Sequence, residues 1–422
     1  MTDHILAGFG FGPIQSGLFV AEAYKSGNFS RMIIAEIDGE LVEAVRQNGG
    51  CYYVNIATQE GMDILKVQGL EMLNPTDATD QRQLNRTLAE ATEITTALPS
   101  VEFYEKGDPS VAGLIADGIK NNVAPAKIIY TGENNNHAAE ILQQSIQNSL
   151  GRLPAHVQFL NTVIGKMSRV VNDPAEVKQL GLKPIAKNLG RAFLVEEFNK
   201  IMVTRMTIDG FRTGIDTFAE KTDLLPFEEA KLYGHNAIHA LLAYLGYLKG
   251  YTYMKEIRKD NRLMDIAQKA FIDESGKALT RKYAYLNEWT FTPEGYKEYA
   301  EDLLIRMTNP YLADTIERAA RDPIRKLHYN DRLFGSMNLA LEQDIEPINI
   351  ALGTMAAVAT VVKQAQQGKI HLDTCDTPWQ KLDEQQFHQI VRSIWSNCTS
   401  DNAGELISRV YAKKESLLDI LK

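Results

Sequence analysis

The chain has 422 residues, of which 44% are apolar and 23% are charged, and its formal net charge is −9 at pH 7. A chain of this length and composition is typical of a globular protein with two domains. Its acidic balance, without a basic stripe, argues against a nucleic-acid partner.

The cysteines and the apolar stretches bear on where the protein resides. Cys51, Cys375 and Cys398 are far apart in the sequence and form no C-x-x-C pair. This spacing favours a reduced cytoplasm without disulfides. The N-terminal residues carry no secretion-signal pattern. The longest apolar stretch, about residues 348–362, is too short to span a bilayer and is typical of a buried helix. We therefore expect a cytoplasmic protein with no membrane partner.

The first predicted elements are a strand at residues 4–8, a glycine-rich turn through residue 17 and a helix from residue 18. Backbone amides at such a helix start can bind a pyrophosphate. The motif G-x-G-x-x-G would place a third glycine at Gln15, so a plain tight turn remains an alternative. The coenzyme-binding candidates in this turn are Gly10, Phe11, Gly12, Ile14 and Gly17.

The second predicted strand, residues 32–37, ends on acidic residues. Glu36 or Asp38 is placed to accept hydrogen bonds from a ribose diol, and its charge would repel a 2′-phosphate. This favours NAD over NADP.

Further apolar strands at residues 93–98, 127–132 and 157–164 alternate with helix-length segments. This pattern predicts a mostly parallel sheet with functional residues at the carboxyl ends of its strands. Asn134 follows one such end, although an asparagine also suits a turn or helix cap. From about Phe198 helical periodicity dominates. We therefore expect an α/β Rossmann-type domain at residues 1–197 and an all-α substrate domain at residues 198–422.

One helix in the second half carries a chemically suggestive trio, Lys231, Asn236 and His239. At about 100° per residue, Asn236 lies about 140° round an α-helix from Lys231, with His239 between them. An amine, an amide and an imidazole facing one cavity could bind a hydroxyl, remove its proton and stabilise the oxygen anion, as alcohol oxidation requires.

Two other interpretations of this helix remain open. The trio could be a surface lysine, a capping asparagine and a core histidine. His235 and His239 could also bind zinc, but Asn236 stands where the motif H-E-x-x-H has its glutamate.

The motif K-x4-N-x2-H resembles the hallmark of the polyol-specific long-chain dehydrogenases, most of all their mannitol-1-phosphate 5-dehydrogenase branch. Glu133-Asn134, Asn309-Pro-Tyr-Leu and Arg321-Asp-Pro-Ile-Arg-Lys-Leu resemble other blocks of that family. The similarity extends over nearly the whole chain.

The resemblance implies a metal-independent, NAD-dependent dehydrogenase. It implies that Lys231 is the general base, that Asn134 and Asn236 donate to the alkoxide, and that His239 holds a substrate hydroxyl. It places Thr95 and Thr96 at a strand end facing the nicotinamide. We expect a sugar-alcohol or ketose phosphate as the substrate, in a monomer or small homo-oligomer, and the phosphate-binding candidates are Arg325, Lys326 and Arg332.

The chain departs from the family pattern mainly on the substrate side, at His137, at Gly165-Lys166 and at Lys200-Ile201. These departures leave open an unphosphorylated polyol or a hexuronate as the substrate. Together with Gln15 they also leave open a nucleotide-binding sensor without turnover.

Overall fold

The computed structural model describes residues 4–372, 377–395 and 400–422, so the predictions for Cys375 and Cys398 lie outside the described residues, whereas Cys51 is buried with a free thiol. The chain forms two compact units, Met1–Leu225 and Pro226–Lys422. This division differs from the predicted boundary after residue 197, because two short strands beyond that position belong to the sheet of the first unit.

The first unit contains the strands of the chain, as far as the described residues show. They are β1 His4–Phe9, β2 Phe29–Ala35, β3 Tyr52–Ala57, β4 Met62–Val67, β5 Leu70–Leu73, β6 Glu93–Thr96, β7 Lys127–Thr131, β8 Val157–Ile164, β9 Ser168–Val171, β10 Ala192–Glu196, β11 Ile201–Thr204 and β12 Phe218–Lys221.

Within the described residues, eight strands form a sheet in the order β12-β11-β8-β7-β6-β1-β2-β5. The strands β5, β2, β1, β6, β7 and β8 are parallel, and β11 pairs antiparallel with β8. Because β1, β6 and β7 run parallel, their carboxyl ends meet at one edge of the sheet. The predicted Rossmann-type, mostly parallel sheet is confirmed.

Helices cover both faces of this sheet. The side chains of a strand alternate between the two faces, so each face has apolar residues to bury in its own core. Ala7 and Ile33 pack in one core with the helices Ala78–Glu90, Val111–Lys120 and Ala138–Leu150, whereas Leu6 and Ile34 face the other core. A smaller sheet in the order β4-β3-β10-β9, which we did not predict, contributes to that second core. The α-helices of the unit are α1 Val20–Ser26, α2 Gly39–Gln47, α3 Ala78–Glu90, α4 Val111–Lys120, α5 Ala138–Leu150 and α6 Pro174–Gln179.

The regular elements in the described residues of the second unit are helices, apart from an isolated β-bridge between Tyr253 and Thr315. Two of its helical segments, Ala230–Asn236 and Ala270–Gly276, are π-helical. Its α-helices are α7 Leu225–Glu229, α8 Ala237–Lys249, α9 Met254–Ile257, α10 Asn261–Lys269, α11 Lys277–Lys282, α12 Pro293–Met307, α13 Ile316–Ala319, α14 Pro323–Lys326, α15 Phe334–Glu342, α16 Ile348–Gln366, α17 Glu384–Ile394, α18 Ala403–Tyr411 and α19 Lys414–Ile420.

The core of this unit is the pairing of α8 with α16. Gly353 allows the two helices to approach closely, because a Cβ there would lie 2.3 Å from Leu241 Cγ. The 19-residue α16 is long and apolar enough to cross a membrane by length and composition alone, but most of it is buried inside the fold. The prediction of a buried helix in this stretch is confirmed.

Candidate active site

The glycine turn follows β1 at the carboxyl edge of the large sheet. Gly10 has φ +81°, and a Cβ there would approach the Ala97 carbonyl oxygen to 3.0 Å. Both the left-handed backbone and this close contact favour glycine at the position. At Gly12 a Cβ would meet nothing within 4 Å, which leaves open space above the turn. This open turn before a helix start suits the pyrophosphate of a dinucleotide.

The helix after the turn begins with a π-helical segment, Gln15–Phe19, which contains the departure from the glycine motif. The fully buried Gln15 donates from Nε2 to Thr95 Oγ1 at 2.6 Å. Gly8 makes room for it, since a Cβ there would lie 2.3 Å from Gln15 Nε2. Gln15 thus fills the space between helix and sheet that the third glycine of the motif would close.

Gly17, a predicted coenzyme residue, serves packing instead. A Cβ on Gly17 would lie 2.6 Å from Val195 Cγ1 on β10, so this glycine lets the small sheet pack against the helix. Ile14 immediately precedes the π-helical segment and is partly buried. The side chain of Ile14 packs against the apolar core of the first unit.

The acidic end of β2 bonds to the glycine turn. Glu36 accepts a hydrogen bond from the Phe11 amide on Oε2 at 2.7 Å and from the Asp38 amide on Oε1 at 2.9 Å. Asp38 itself caps α2 through the Leu41 amide and pairs with Arg191 at 2.7 Å. Glu36 is therefore the better placed of the two predicted ribose acceptors.

The ends of β6 and β7 are joined by a buried carboxylate, Glu133. It accepts hydrogen bonds from Thr96 Oγ1 at 2.8 Å, from the Leu98 amide at 2.8 Å and from the Tyr104 hydroxyl. Burial raises the pKa of this carboxyl above its usual value. The sequence had identified Glu133 only as part of a family block, and its contacts show that it fixes the chain just before the exposed Asn134.

Thr95 and Thr96 are both fully buried. Their hydroxyls bond to Gln15 and Glu133 respectively, so they organise the strand end rather than present free hydroxyls to a ligand.

In the second unit the predicted trio begins in π-helix, which changes its expected geometry. Lys231 and Asn236 lie in the π-helical segment Ala230–Asn236, and His239 lies in the first turn of α8. The angle of about 140° predicted for an α-helix therefore does not hold. Residues five apart share a face when hydrogen bonds run from i to i+5, so Lys231 and Asn236 face the same side.

The lysine of the trio has a perturbed pKa. Loss of hydration within the surrounding protein, reinforced by the nearby positive charge of Arg332, lowers the pKa of Lys231 to about 8. Glu228 opposes this shift only in part. An amine with this pKa exists in both protonation states near neutral pH, as a general acid–base group must.

His239 has a buried acidic partner that we did not predict. Its Nε2 lies 3.1 Å from Oδ2 of Asp314, and Arg318 Nε donates to Oδ1 of the same carboxylate at 2.6 Å. Burial alone would raise the pKa of Asp314, but His239 and Arg318 hold it well below its usual range. Asp314 is 75 residues from His239 in sequence, so only folding reveals the pair.

The geometry of His235 bears on the zinc alternative. Its ring centroid is 6.4 Å from that of His239, at an interplanar angle of 89°. Burial lowers the pKa of His235 well below its usual value. Among residues 4–372, 377–395 and 400–422, no three His, Cys, Asp or Glu side chains are grouped to hold a metal ion.

The three predicted phosphate ligands lie near one another but differ in exposure and in hydrogen-bond partners. Arg332 is buried near Lys231, and its Nε bonds to Asp331 at 2.7 Å. In the part of the chain that the structure describes, its two terminal nitrogens have no hydrogen-bond acceptor. Lys326 is buried and donates to the Ala319 carbonyl at 2.6 Å, whereas Arg325 is about half exposed beside Asp331.

The helical part of the chain also matches a known domain. Residues 223–394 match the family model of the mannitol dehydrogenase C-terminal domain. This part of the chain is thus similar to a mannitol dehydrogenase C-terminal domain. Lys231, Asn236, His239, Asp314 and Arg332 all lie within it.

Relatives and solved structures extend the likeness beyond the mannitol dehydrogenase domain. The mannitol-1-phosphate 5-dehydrogenase of Halalkalibacterium halodurans is 28% identical over 368 residues, covering 85% of this chain and 89% of that protein. A substrate-free D-sorbitol dehydrogenase has a TM-score of 0.75 at 14% identity, and the match covers 98% of this chain and 93% of that chain. Pseudomonas fluorescens mannitol 2-dehydrogenase, solved with NAD and D-mannitol, has a TM-score of 0.67 at 16% identity. This match covers 100% of this chain and 94% of that chain. The resemblance to the polyol-specific dehydrogenases and the predicted fold are confirmed.

Proposed function

We propose that this protein is an NAD-dependent dehydrogenase that interconverts a sugar-alcohol phosphate and a ketose phosphate, as a mannitol-1-phosphate 5-dehydrogenase does. Its relatives carry that name, and it has the helical domain of mannitol dehydrogenases. The observation that carries the proposal is Lys231, an amine with a pKa of about 8 next to the buried Arg332.

Lys231 takes the proton from the substrate hydroxyl during oxidation. Its neutral form is the base, so the proton moves from the hydroxyl oxygen to Nζ. Bound NAD would supply the acceptor for the hydride that leaves the carbinol carbon. In the reverse direction the protonated amine returns the proton to the carbonyl oxygen.

Two amides stabilise the negative charge that develops on the reacting oxygen. Asn236 shares the helix face of Lys231, and its amide N–H donates to the alkoxide. Asn134, which Glu133 holds at the end of β7, is the second donor according to the family resemblance. His239 holds another hydroxyl of the polyol and thereby orients the reacting carbon.

The phosphate of the substrate binds Arg332. A guanidinium can bind a phosphate through two parallel hydrogen bonds, and the two terminal nitrogens of Arg332 have no acceptor within the described residues. Arg325 and Lys326 have no part in this proposal, because Arg325 is about half exposed and pairs with Asp331 at 3.4 Å, and Lys326 donates to a backbone carbonyl.

The coenzyme binds at the glycine turn of the first unit. Gly10 and Gly12 receive the pyrophosphate, and Glu36 accepts the ribose hydroxyl hydrogen bonds while it braces the turn through the Phe11 amide. The negative charge of Glu36 disfavours the 2′-phosphate of NADP.

A substrate screen tests the proposal. Purified protein with NAD is offered sugar-alcohol phosphates and the matching unphosphorylated polyols, and NADH with ketose phosphates, free ketoses and hexuronates, while absorbance of NADH is followed. We expect the highest kcat/KM with a phosphorylated pair. Efficient turnover of only unphosphorylated or carboxylated substrates would contradict the assignment of a phosphorylated substrate. NADH binding without turnover of any of these compounds would contradict the proposal that the protein is a dehydrogenase.

A further inference from the structure

Asp314 is a buried loop residue whose backbone is fixed by hydrogen bonds to a neighbouring segment. It is 2% exposed, and it follows Ala313, a non-glycine residue with φ +48°. Its carbonyl accepts from the Met254 amide at 2.9 Å, and the next residue, Thr315, forms a β-bridge with Tyr253. A strained backbone that is clamped on both sides often supports a functional group.

The two carboxylate oxygens of Asp314 have different partners. Oδ1 accepts from Arg318 Nε at 2.6 Å, and Oδ2 faces His239 Nε2 at 3.1 Å. An ionised carboxylate can only accept hydrogen bonds. The ring nitrogen that faces it must therefore carry a proton.

We propose that Asp314 is a positioning residue that fixes neutral His239 as the Nε2–H tautomer, so that Nδ1 is left as a hydrogen-bond acceptor for a substrate hydroxyl. The tautomer depends only on the structure, whereas the role toward substrate rests on the proposed function. The block Asn309-Pro-Tyr-Leu, to which we had assigned no role, leads directly into this residue.

The tautomer decides what His239 can recognise. A bare Nδ1 accepts from a hydroxyl but cannot donate to a carbonyl or ether oxygen. His239 would therefore select a polyol that has a free hydroxyl next to the reacting centre. An analogue in which that hydroxyl is missing or methylated would lose the interaction.

The substitution Asp314→Asn makes a sharp prediction because of Arg318. The guanidinium needs an acceptor, so the carboxamide oxygen turns toward Arg318 and the NH2 group turns toward His239. A donor at that place requires a bare Nε2. The substitution should therefore invert the tautomer of His239 to Nδ1–H.

Nitrogen NMR of protein labelled with ¹⁵N-histidine measures the tautomer directly, with His239→Gln used to assign the signal. We expect the Nε2–H pattern in the parent and the Nδ1–H pattern in Asp314→Asn. Nδ1–H in the parent, or Nε2–H in both proteins, would overturn the proposal. This readout needs no substrate and so is independent of the proposed function.

A double-mutant cycle tests the role in catalysis. Asp314→Asn should lower kcat/KM for oxidation by about 10- to 100-fold, which is the range known for residues that orient a metal-binding histidine. In a His239→Ala background the same substitution should change kcat/KM by less than about twofold, because Asp314 acts through that ring. Losses that multiply in the double variant would overturn a role through His239.

Glu274→Gln is the matched control. Glu274 is also a buried carboxylate of the second unit, and it binds the amides of Asn349 and Ile350. Its substitution should lower the melting temperature without changing the His239 tautomer or kcat/KM. If Glu274→Gln changed the tautomer as much as Asp314→Asn does, the effect would be general loosening and the proposal would fail. If the parent turns over no polyol, the proposed function fails while the NMR result still decides on Asp314.

Discussion

The π-helical segments Gln15–Phe19 and Ala230–Asn236 begin the functional helices of the two units with the same backbone geometry but different uses of their side chains. In the first segment Gln15 and Gly17 are buried and pack against Thr95 and Val195. In the second, Lys231 lies near Arg332 and has a lowered pKa. In the proposed function the first region presents its backbone to the coenzyme, whereas the second presents side chains to the substrate.

This difference explains which departures from a family motif the fold tolerates. Gln15 replaces a glycine without filling the open space above Gly12, because Gly8 and Thr95 accommodate its amide. The same tolerance would not extend to Lys231, because its proposed role needs a titratable amine and no backbone atom can supply one.

The largest expected effect is that of Lys231→Ala. Loss of a positioned acid–base group should lower kcat for oxidation by about two to four orders of magnitude. NADH binding, measured by fluorescence titration, should change little, because the nucleotide turn belongs to the first unit. Lys249→Ala, at the other end of α8 and paired with Asp260, is the control and should keep kcat within about twofold. A Lys231→Ala protein with most of its kcat would remove the distinction between the two segments.

Arg332→Ala should have the next largest effect, mainly on KM for phosphorylated substrates. Because the charge of Arg332 also lowers the pKa of Lys231, a smaller change in the pH profile should appear with every substrate. Loss of charge-assisted hydrogen bonds to a phosphate, about 1.5 to 3 kcal/mol, should raise KM by about 10- to 150-fold. The control Arg325→Ala, on the exposed residue beside Asp331, should change KM little. Equal losses with phosphorylated and unphosphorylated polyols would show that Arg332 does not recognise the phosphate.

In the backbone-presenting region the expected effects are smaller. We expect NAD to be preferred over NADP by at least about tenfold in kcat/KM, the equivalent of 1.4 kcal/mol. Glu36→Gln should reduce this preference, while the exposed control Glu40→Gln should leave it unchanged. Comparable efficiency with both coenzymes in the parent protein would refute the assignment of Glu36.

The smallest effect on activity is expected for Gln15→Ala. Removing this buried side chain should lower the free energy of unfolding by about 1 to 3 kcal/mol, measured by urea denaturation, because it leaves a void and an unpaired Thr95 hydroxyl. KM for NAD should change by less than about threefold. Unchanged stability with a large loss of NADH binding would make Gln15 a coenzyme ligand and erase the contrast with Ala230–Asn236.

Features encoded by short-range patterns could be predicted from the sequence. Strands at residues 4–8, 32–37 and 127–132 follow from apolar runs between turns, and the glycine turn follows from its composition. The short β11 and β12 carry little pattern, so the boundary was placed too early relative to the compact units. A π-helix leaves no distinct periodicity in a few residues, which is why α-helical angles were assumed for Lys231.

Contacts between distant residues could not be predicted. The carboxylate of Asp314 contacts His239, which is 75 residues away in sequence. Glu133 accepts a hydrogen bond from Tyr104, which is 29 residues away. Arg325, Lys326 and Arg332 are neighbours in sequence, yet their environments range from half exposed to buried, because the chain turns between α14 and α15. Adjacency in sequence gave no means of choosing among them.

The pH dependence of kcat/KM, measured in both directions of the reaction, tests the central claim about Lys231 most directly. The amine must be neutral for oxidation and protonated for reduction. Since its pKa is lowered to about 8, oxidation should rise about tenfold per pH unit up to that value and then level off. Ketone reduction should fall above the same value. A profile without a break near this pH, or the same break retained in Lys231→Ala, would contradict the account.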